Sequence, residues 1–395
     1  MKNNLIKIIL VIVAIVVLIA TITLLIFGSK KDSEEIIIYK DSSGANAPVI
    51  TDGLIPVTID ENGVAVYADV DEEWYNYGEQ TWANAIVLNT ESTDYSVGET
   101  IDSSDIAAYY VWIPRYAYKL FNVDGSVIYE QTIEINFESS SDEKSLGTAN
   151  EEWLTHPAFT FDGEELDGIW VAKFEVTGTT DLLTVLPNIS SLRSTTQSDF
   201  YYSMLNFSED YELTADSHMI KNTEWGAVTY LTYSEYGINT EVRLNNNSSY
   251  ITGCGASIDE EMPSDECLIA YGSGVSEYPQ STTGNISGIF DMSGGAFDLV
   301  MGNYDETVSY SEFAVISEIE DKYIDQYTTE FILGDATYEN NLWYSNYSIF
   351  ITSDYPWFAR GGSFGSSSAA GISSFNVSTG GTVIYESSRI VLVQE

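Results

Sequence analysis

Positions 8–27 read IILVIVAIVVLIATITLLIF, twenty residues in which Thr21 and Thr23 are the only polar side chains. Both threonines can return their hydroxyls to helix carbonyls, so nothing in the run opposes burial in lipid. At about 1.5 Å of rise per residue the run makes a helix of roughly 30 Å, the thickness of a bilayer's hydrocarbon core. A cleavable secretory signal has a shorter apolar core, about 7–15 residues, followed by a small-x-small site. Here the run passes straight into Phe27-Gly28-Ser29-Lys30-Lys31. The expectation is an uncleaved signal anchor over residues 1–31. It crosses the plasma membrane once through residues 8–27 and leaves everything after it extracellular.

Flanking lysines do little to set the orientation, since Lys2 and Lys7 on one side face Lys30 and Lys31 on the other. The remainder of the chain does more. Five of the 15 Lys and Arg but only three of the 60 Asp and Glu lie in the first forty residues, so the rest carries ten basic against 57 acidic side chains, a balance of −47. Such a field repels nucleic acid and anionic lipid, which excludes both as partners. It suits a surface domain, and one able to hold Ca²⁺, because hard cations take carboxylate and carbonyl oxygens. The acids are scattered among aromatic and β-branched residues and 44% of the chain is apolar, so this part folds.

Cys254 and Cys267 are the only cysteines and bracket a loop-like stretch, GASIDEEMPSDE. In an oxidising compartment they are expected to bridge, two free buried thiols being the alternative. Two cysteines with no histidine nearby cannot complete a tetrahedral metal shell. Residues 32–55 mix charge with Ser, Gly, Asn and Pro and read as a stalk. In PVTIDENGVAVYADV, apolar and polar residues alternate around Glu61-Asn62-Gly63, a hairpin signature. Residues 56–104 are therefore taken as a small β module and 105–395 as the main domain. That domain reads as many short strands, among them YYVWIPRYAYKLF and GIWVAKFEVTG, separated by long Gly/Ser/Asn/Asp segments. Helical pattern is confined to TEWGAVTYLTYSEYG, capped by Asn222 or Thr223 and ended by Gly237, and to a short stretch from Ser198. The fold class is α+β and rich in loops.

Motifs for catalysis are thin. Gly361-Gly362-Ser363-Phe364-Gly365 matches G-x-S-x-G, but a nucleophile elbow needs a helix after it and a later histidine, whereas both histidines, His156 and His218, come earlier. It reads as a glycine-rich turn. Neither histidine has the i+4 partner of a helical metal site, and hydrogen bonding within the fold is the simpler role for each. The 28 Tyr and 8 Trp are the positive hint of binding, flat apolar faces with polar edges suited to sugars or protein partners. The competing use of any one of them is in the core.

Several segments, in order, resemble the formylglycine-generating enzyme (sulfatase-modifying factor) family. Gly168–Thr177 (GIWVAKFEVT) resembles that family's early F-x-I-G-K-Y-E-V-T strand, and Thr223-Glu224-Trp225-Gly226-Ala227 its S/A-E-W-E-Y-A helix. Gly288–Val300 (GIFDMSGGAFDLV) resembles the G-L-Y-D-M-x-G-N-V-W-E-W-V block, with Gly295-Ala296-Phe297-Asp298-Leu299 in place of Asn-Val-Trp-Glu-Trp. Arg360-Gly361-Gly362-Ser363-Phe364 is similar to R-G-G-S-W/Y, and Ser388-Arg389-Ile390-Val391 stands where the closing G-F-R strand would be.

The resemblance implies a C-type-lectin-like fold, with structural calcium in some members. It argues against the family's redox chemistry. The oxidase members bind copper through two cysteines shortly after R-G-G-S, and here that stretch, Gly365–Gly371, holds no sulfur. No copper is expected, and the chain reads as a non-catalytic bacterial surface relative.

By analogy with receptor-binding proteins of this fold, the contact face includes Trp343, Tyr344, Trp357, Phe358, Ser363, Phe364, Ser366 and Phe375. The expected function is an adhesin-like module presenting these residues to an extracellular glycan or protein. The alternatives are a surface enzyme of the same fold working through paired carboxylates, and a structural envelope component.

Overall fold

The most apolar stretch after residue 27, Ile106–Pro114 (IAAYYVWIP), is a strand buried along its whole length. A strand buried on both faces reads as a continuous apolar run, and it belongs at the middle of a sheet. The computed structural model, which describes residues 38–89, 94–256, 262–328 and 331–394, places it there. The apolar run at 8–27 lies outside the described residues. Among those described, no helix is long and apolar enough to cross a membrane.

Seven antiparallel strands form the large sheet, in the spatial order 216–219, 390–393, 168–172, 106–114, 84–88, 54–59 and 65–67. Trp112 sits opposite Trp170 across the central pair, their rings 5.2 Å apart. The C-terminal strand Ile390–Val393 is inserted between Gly168–Ala172 and Asp216–Met219. Sequence-distant ends thus share one sheet. A second, mixed sheet takes Phe297–Tyr304 as its longest strand, antiparallel to Trp357–Arg360 and parallel to Asp325–Tyr327 and Glu386–Ser387. Phe375–Ser378 pairs with the far side of Trp357–Arg360.

Two α-helices are present among the described residues. Helix α1, Gln197–Asp210, is capped by the Thr196 hydroxyl, which accepts from the Asp199 amide at 3.1 Å. Helix α2, Asn222–Thr232, is buried at every position. Its cap residue is Lys221, whose backbone N–H donates to Glu224 Oε2 at 2.8 Å. The expected cap by Asn222 or Thr223 does not form, because the Asn222 amide donates to the Tyr327 hydroxyl and the Thr223 N–H to Asp325 Oδ2. The helix also stops at Thr232, five residues before Gly237.

The hairpin at 54–67 forms as expected. Asp60 Oδ1 accepts from the amides of Asn62 and Val64, and Gly63 supplies the positive φ of +77° that the turn needs. The separate module does not. Strands 54–59, 65–67 and 84–88 continue the large sheet, and residues from Tyr39 onward form one compact unit. Nor is the segment from Tyr39 to Ile55 a stalk. The Tyr39 N–H donates to Val70 O, the Asn46 amide to Glu138 O and Asp167 O, and Trp170 Nε1 to Val49 O. Local composition identified a polar segment, but its polar groups are spent on the body rather than on water.

Cys254 and Cys267 are joined in a disulfide with their Cα atoms 5.3 Å apart.

Candidate functional site

Between strands 357–360 and 375–378 the chain must leave the second sheet and return to it, and Gly361 and Gly362 make the exit with φ of +79° and +77°. A Cβ on Gly362 would lie 2.7 Å from Ala370 Cα, so the start and end of the loop approach too closely for a side chain. Arg360, fully buried, anchors the loop from beneath. Its Nε donates to Ser374 O, Nη1 to Asn222 Oδ1 and Asp335 O, and Nη2 to Ala336 O, at 2.6–3.1 Å. The second anchor is Phe364, whose N–H donates to Gly295 O and whose ring meets Tyr250 edge-on at 4.9 Å. The Arg193 guanidinium stacks over Tyr250 at 3.7 Å.

The loop so held contributes to two clefts. One, of about 370 Å³, is lined by Ser363 and Ser366 of the loop together with Tyr347, Asn376, Tyr385 and Glu386. The other, of about 440 Å³, takes Ser367 and Ser368 from the loop and Glu241, Arg243 and Tyr344 from elsewhere. Both fall in the size range of small-ligand sites. In the first cleft Glu386 is only 4% exposed, and burial pushes its carboxyl up to about 7, against the hydrogen bond it accepts from Ser378.

Four residues of the expected contact face are in the core instead. Trp343 is enclosed by Phe121 and Tyr233 at 5.5 and 5.4 Å, and Trp357 packs on Phe313. Phe358 lies between Tyr327 and Phe350, and Phe375 is 4% exposed. Consecutive residues Trp357 and Phe358 point to opposite faces of their strand, and both faces are covered, so neither ring reaches solvent. Tyr344, Ser363, Phe364 and Ser366 remain partly accessible. Of these, Ser363 and Ser366 line the first cleft and Tyr344 the second. Sequence reasoning missed Tyr347, Asn376, Tyr385 and Glu386. The only cue to them was the adjacency of Tyr385-Glu386 to the Ser388-Arg389 block.

Neither histidine is available for catalysis. His156 is sealed, with burial pushing its imidazole down to about 3, and its Nδ1 accepts from the Ala158 N–H. His218 has both nitrogens engaged, Nδ1 with Asp216 at 3.1 Å and Nε2 with Glu224 at 3.0 Å. Burial lowers the His218 pKa, but the Glu224 charge and the Asp216 hydrogen bond outweigh it and raise it overall. Among the described residues the Ser363 hydroxyl has no hydrogen-bond contact but Ser366 Oγ, at 3.5 Å, so no base is hydrogen-bonded to the serine of the G-x-S-x-G turn. Among the described residues no group of three or more His, Cys, Asp or Glu is arranged to hold a metal ion.

No family model matches the chain, and no curated protein is similar to it. Similar solved structures include two variants of one protein. "Major Tropism Determinant I1 Variant" has a TM-score of 0.31 at 11% identity, and "Major Tropism Determinant P3c Variant" 0.29 at 10%, each over 89% of this chain and 96% of the other. Scores this low assign neither fold nor function, and the architecture rests on the sheet topology above.

Proposed function

We propose that this chain is a membrane-anchored extracellular binding protein, an adhesin-like module on a C-type-lectin-like body, whose contact face is the Gly361–Gly371 loop and its two clefts. The observation that carries this reading is the loop itself: a segment anchored by Arg360 and Phe364 whose small polar side chains line a cleft on each side. The apolar run at 8–27 supports the anchor, and the disulfide suits an oxidising exterior. A two-carboxylate enzyme fits less well, because Glu386 is the one carboxylate among the residues lining the first cleft.

The test is binding of the purified protein to fractionated cell-surface and cell-wall material, compared with Ser366→Trp and Ser368→Trp, which fill the two clefts. Loss of binding in either filled variant, with folding intact by circular dichroism, supports the reading. Equal binding by wild type and both variants overturns it, as does failure of the wild type to bind any fraction.

A further inference from the structure

Resting on that reading, the structure of the first cleft points further, to the chemistry of its ligand. Two aromatic rings stand at its edge with substantial exposure, Tyr347 at 38% and Tyr385 at 46%. Tyr385 is steadied by the edge of Phe297, 6.1 Å away. These are flat apolar faces beside polar groups, the arrangement that accepts the C–H face of a pyranose.

Deeper in, a donor and an acceptor are left open. Asn376 uses its Oδ1 to accept from the Val377 N–H at 2.8 Å, and its Nδ2 has no hydrogen-bond partner among the described residues. Glu386 Oε2 accepts from the Ser378 hydroxyl at 3.1 Å, and Oε1 likewise has none. Ser363 and Ser366 add hydroxyls on the loop side. A sugar hydroxyl both donates and accepts, so neighbouring hydroxyls of one ring can take the Asn376 amide and the Glu386 carboxyl together.

Charge narrows the class. No lysine or arginine lines this cleft, one carboxyl does, and the chain carries a net −45. Uronic acids, phosphates and sulfates meet repulsion with no cation to offset it. A purely apolar anchor would in turn leave the Asn376 and Glu386 groups dry and unpaired, which costs more than it gains. We propose that the cleft bounded by Tyr347, Asn376, Tyr385 and Glu386 is a subsite for a neutral saccharide, stacked on tyrosine and hydrogen-bonded by the amide and the carboxyl.

The experiment uses the full chain in detergent and a panel of cellotetraose, mannotetraose and the N-acetylglucosamine tetramer, with trigalacturonic acid as the anionic control. Saturation-transfer NMR reports contact with ring C–H protons, and titration gives the affinity. At least one neutral tetramer binds and trigalacturonic acid does not. Tyr385→Ala weakens that binding about tenfold or more, and Asn376→Ala and Glu386→Gln each by roughly tenfold. Leu146→Ala, an exposed side chain lining neither of these clefts, leaves it unchanged. The proposal is overturned if no neutral tetramer binds, if the acidic trimer binds as well, or if all three cleft variants bind like wild type. Should surface fractions bind in a manner blocked by Ser366→Trp while every neutral sugar fails, the saccharide assignment falls and the binding reading stands. Failure of both removes both.

Discussion

Arg389 donates from Nε and Nη2 to a single oxygen of Asp298, Oδ2, at 3.0 Å each, and both side chains are wholly shielded from solvent. The pair fastens the C-terminal strand of the large sheet to the longest strand of the second. Arg389 also caps two carbonyls, Ala172 O through Nη1 and Phe290 O through Nη2, both at 3.1 Å. Removing the guanidinium leaves a buried carboxylate and two carbonyls without partners, which costs about 3–5 kcal/mol. Arg389→Ala should therefore lower the denaturation midpoint far more than Asp298→Asn, which keeps an acceptor in place. An Arg389→Ala midpoint equal to that of the wild type in urea titration would show that the pair does not couple the sheets.

Buried acids set the pH dependence of stability. Burial pushes Asp291, Asp298 and Asp325 up to about 6 and Glu339 up to about 7, partly offset at the first two by the Arg389 charge. Each binds its proton more tightly folded than unfolded, where carboxyls titrate near 4. Between about pH 4 and 7 the native state thus holds the extra protons, and stability falls as pH rises. His218, raised in the fold, acts in the same sense, since its contribution is complete below its unfolded pKa of about 6.5 and is lost above its folded one. His156, pushed down to about 3, opposes the four acids between about pH 3 and 6.5 as one group against four, and Asp216 and Glu224 oppose them only at the acid end. Burial raises both, but His218, with Lys322 and Tyr323 at one and Lys221 at the other, holds them below the ordinary range. Their contribution is present above about pH 4 and disappears below it. Calorimetry from pH 4 to 8.5 at constant ionic strength should find the highest Tm near pH 5. A Tm that climbs steadily to pH 8 would contradict this account.

The Arg389–Asp298 pair shows how far the sequence could be read. Asp298 and Arg389 lie in two segments the sequence reading singled out, Gly288–Val300 and Ser388–Val391, but nothing in either segment says that the two side chains meet across 91 residues. Hairpin 54–67 was legible because Asn62-Gly63 acts over four residues. What was not legible depends on pairing across the chain. Nothing local to residues 56–104 reveals that Ile106–Pro114 accepts Asn84–Leu88 on one side and Gly168–Ala172 on the other. The same holds at the clefts: Trp343, Trp357 and Phe358 carry the residue types of a contact face, and only the layers packed above and below them turn them into core. Glu386 was hidden for the opposite reason, one carboxylate among 60 acidic residues until the fold buried it at a cleft.

The disulfide closes a loop of sequence separation 13. On a chain-entropy account such a closure stabilises by about 3 kcal/mol, which for a body of this size corresponds to a Tm shift of roughly 4 °C. Reduction, or Cys254→Ser with Cys267→Ser, should lower the Tm by that amount without loss of secondary structure. An unchanged Tm on complete reduction, verified by thiol titration, would place the constraint elsewhere.

Arg360 is the position at which the glycine-rich turn and the rest of the body depend on the same side chain. Its guanidinium reaches Ser374 at the far end of the loop, Asn222 at the start of α2, and the Asp335 and Ala336 carbonyls. Lysine keeps the charge but has one nitrogen and cannot span acceptors on three segments. Arg360→Lys should therefore cost about 2–4 kcal/mol, since buried acceptors left unpaired cost about 1–3 kcal/mol each. The loss should not be uniform. Hydrogen exchange should rise most at the Phe375 and Gly371 amides, which bond to Tyr347 O and Gly361 O across the loop, and least at the Trp170 and Val171 amides in the middle of the large sheet. A uniform rise across both sheets would mean that Arg360 supports the whole body rather than the clefts. A localised one would tie the clefts' shape to this single buried cation.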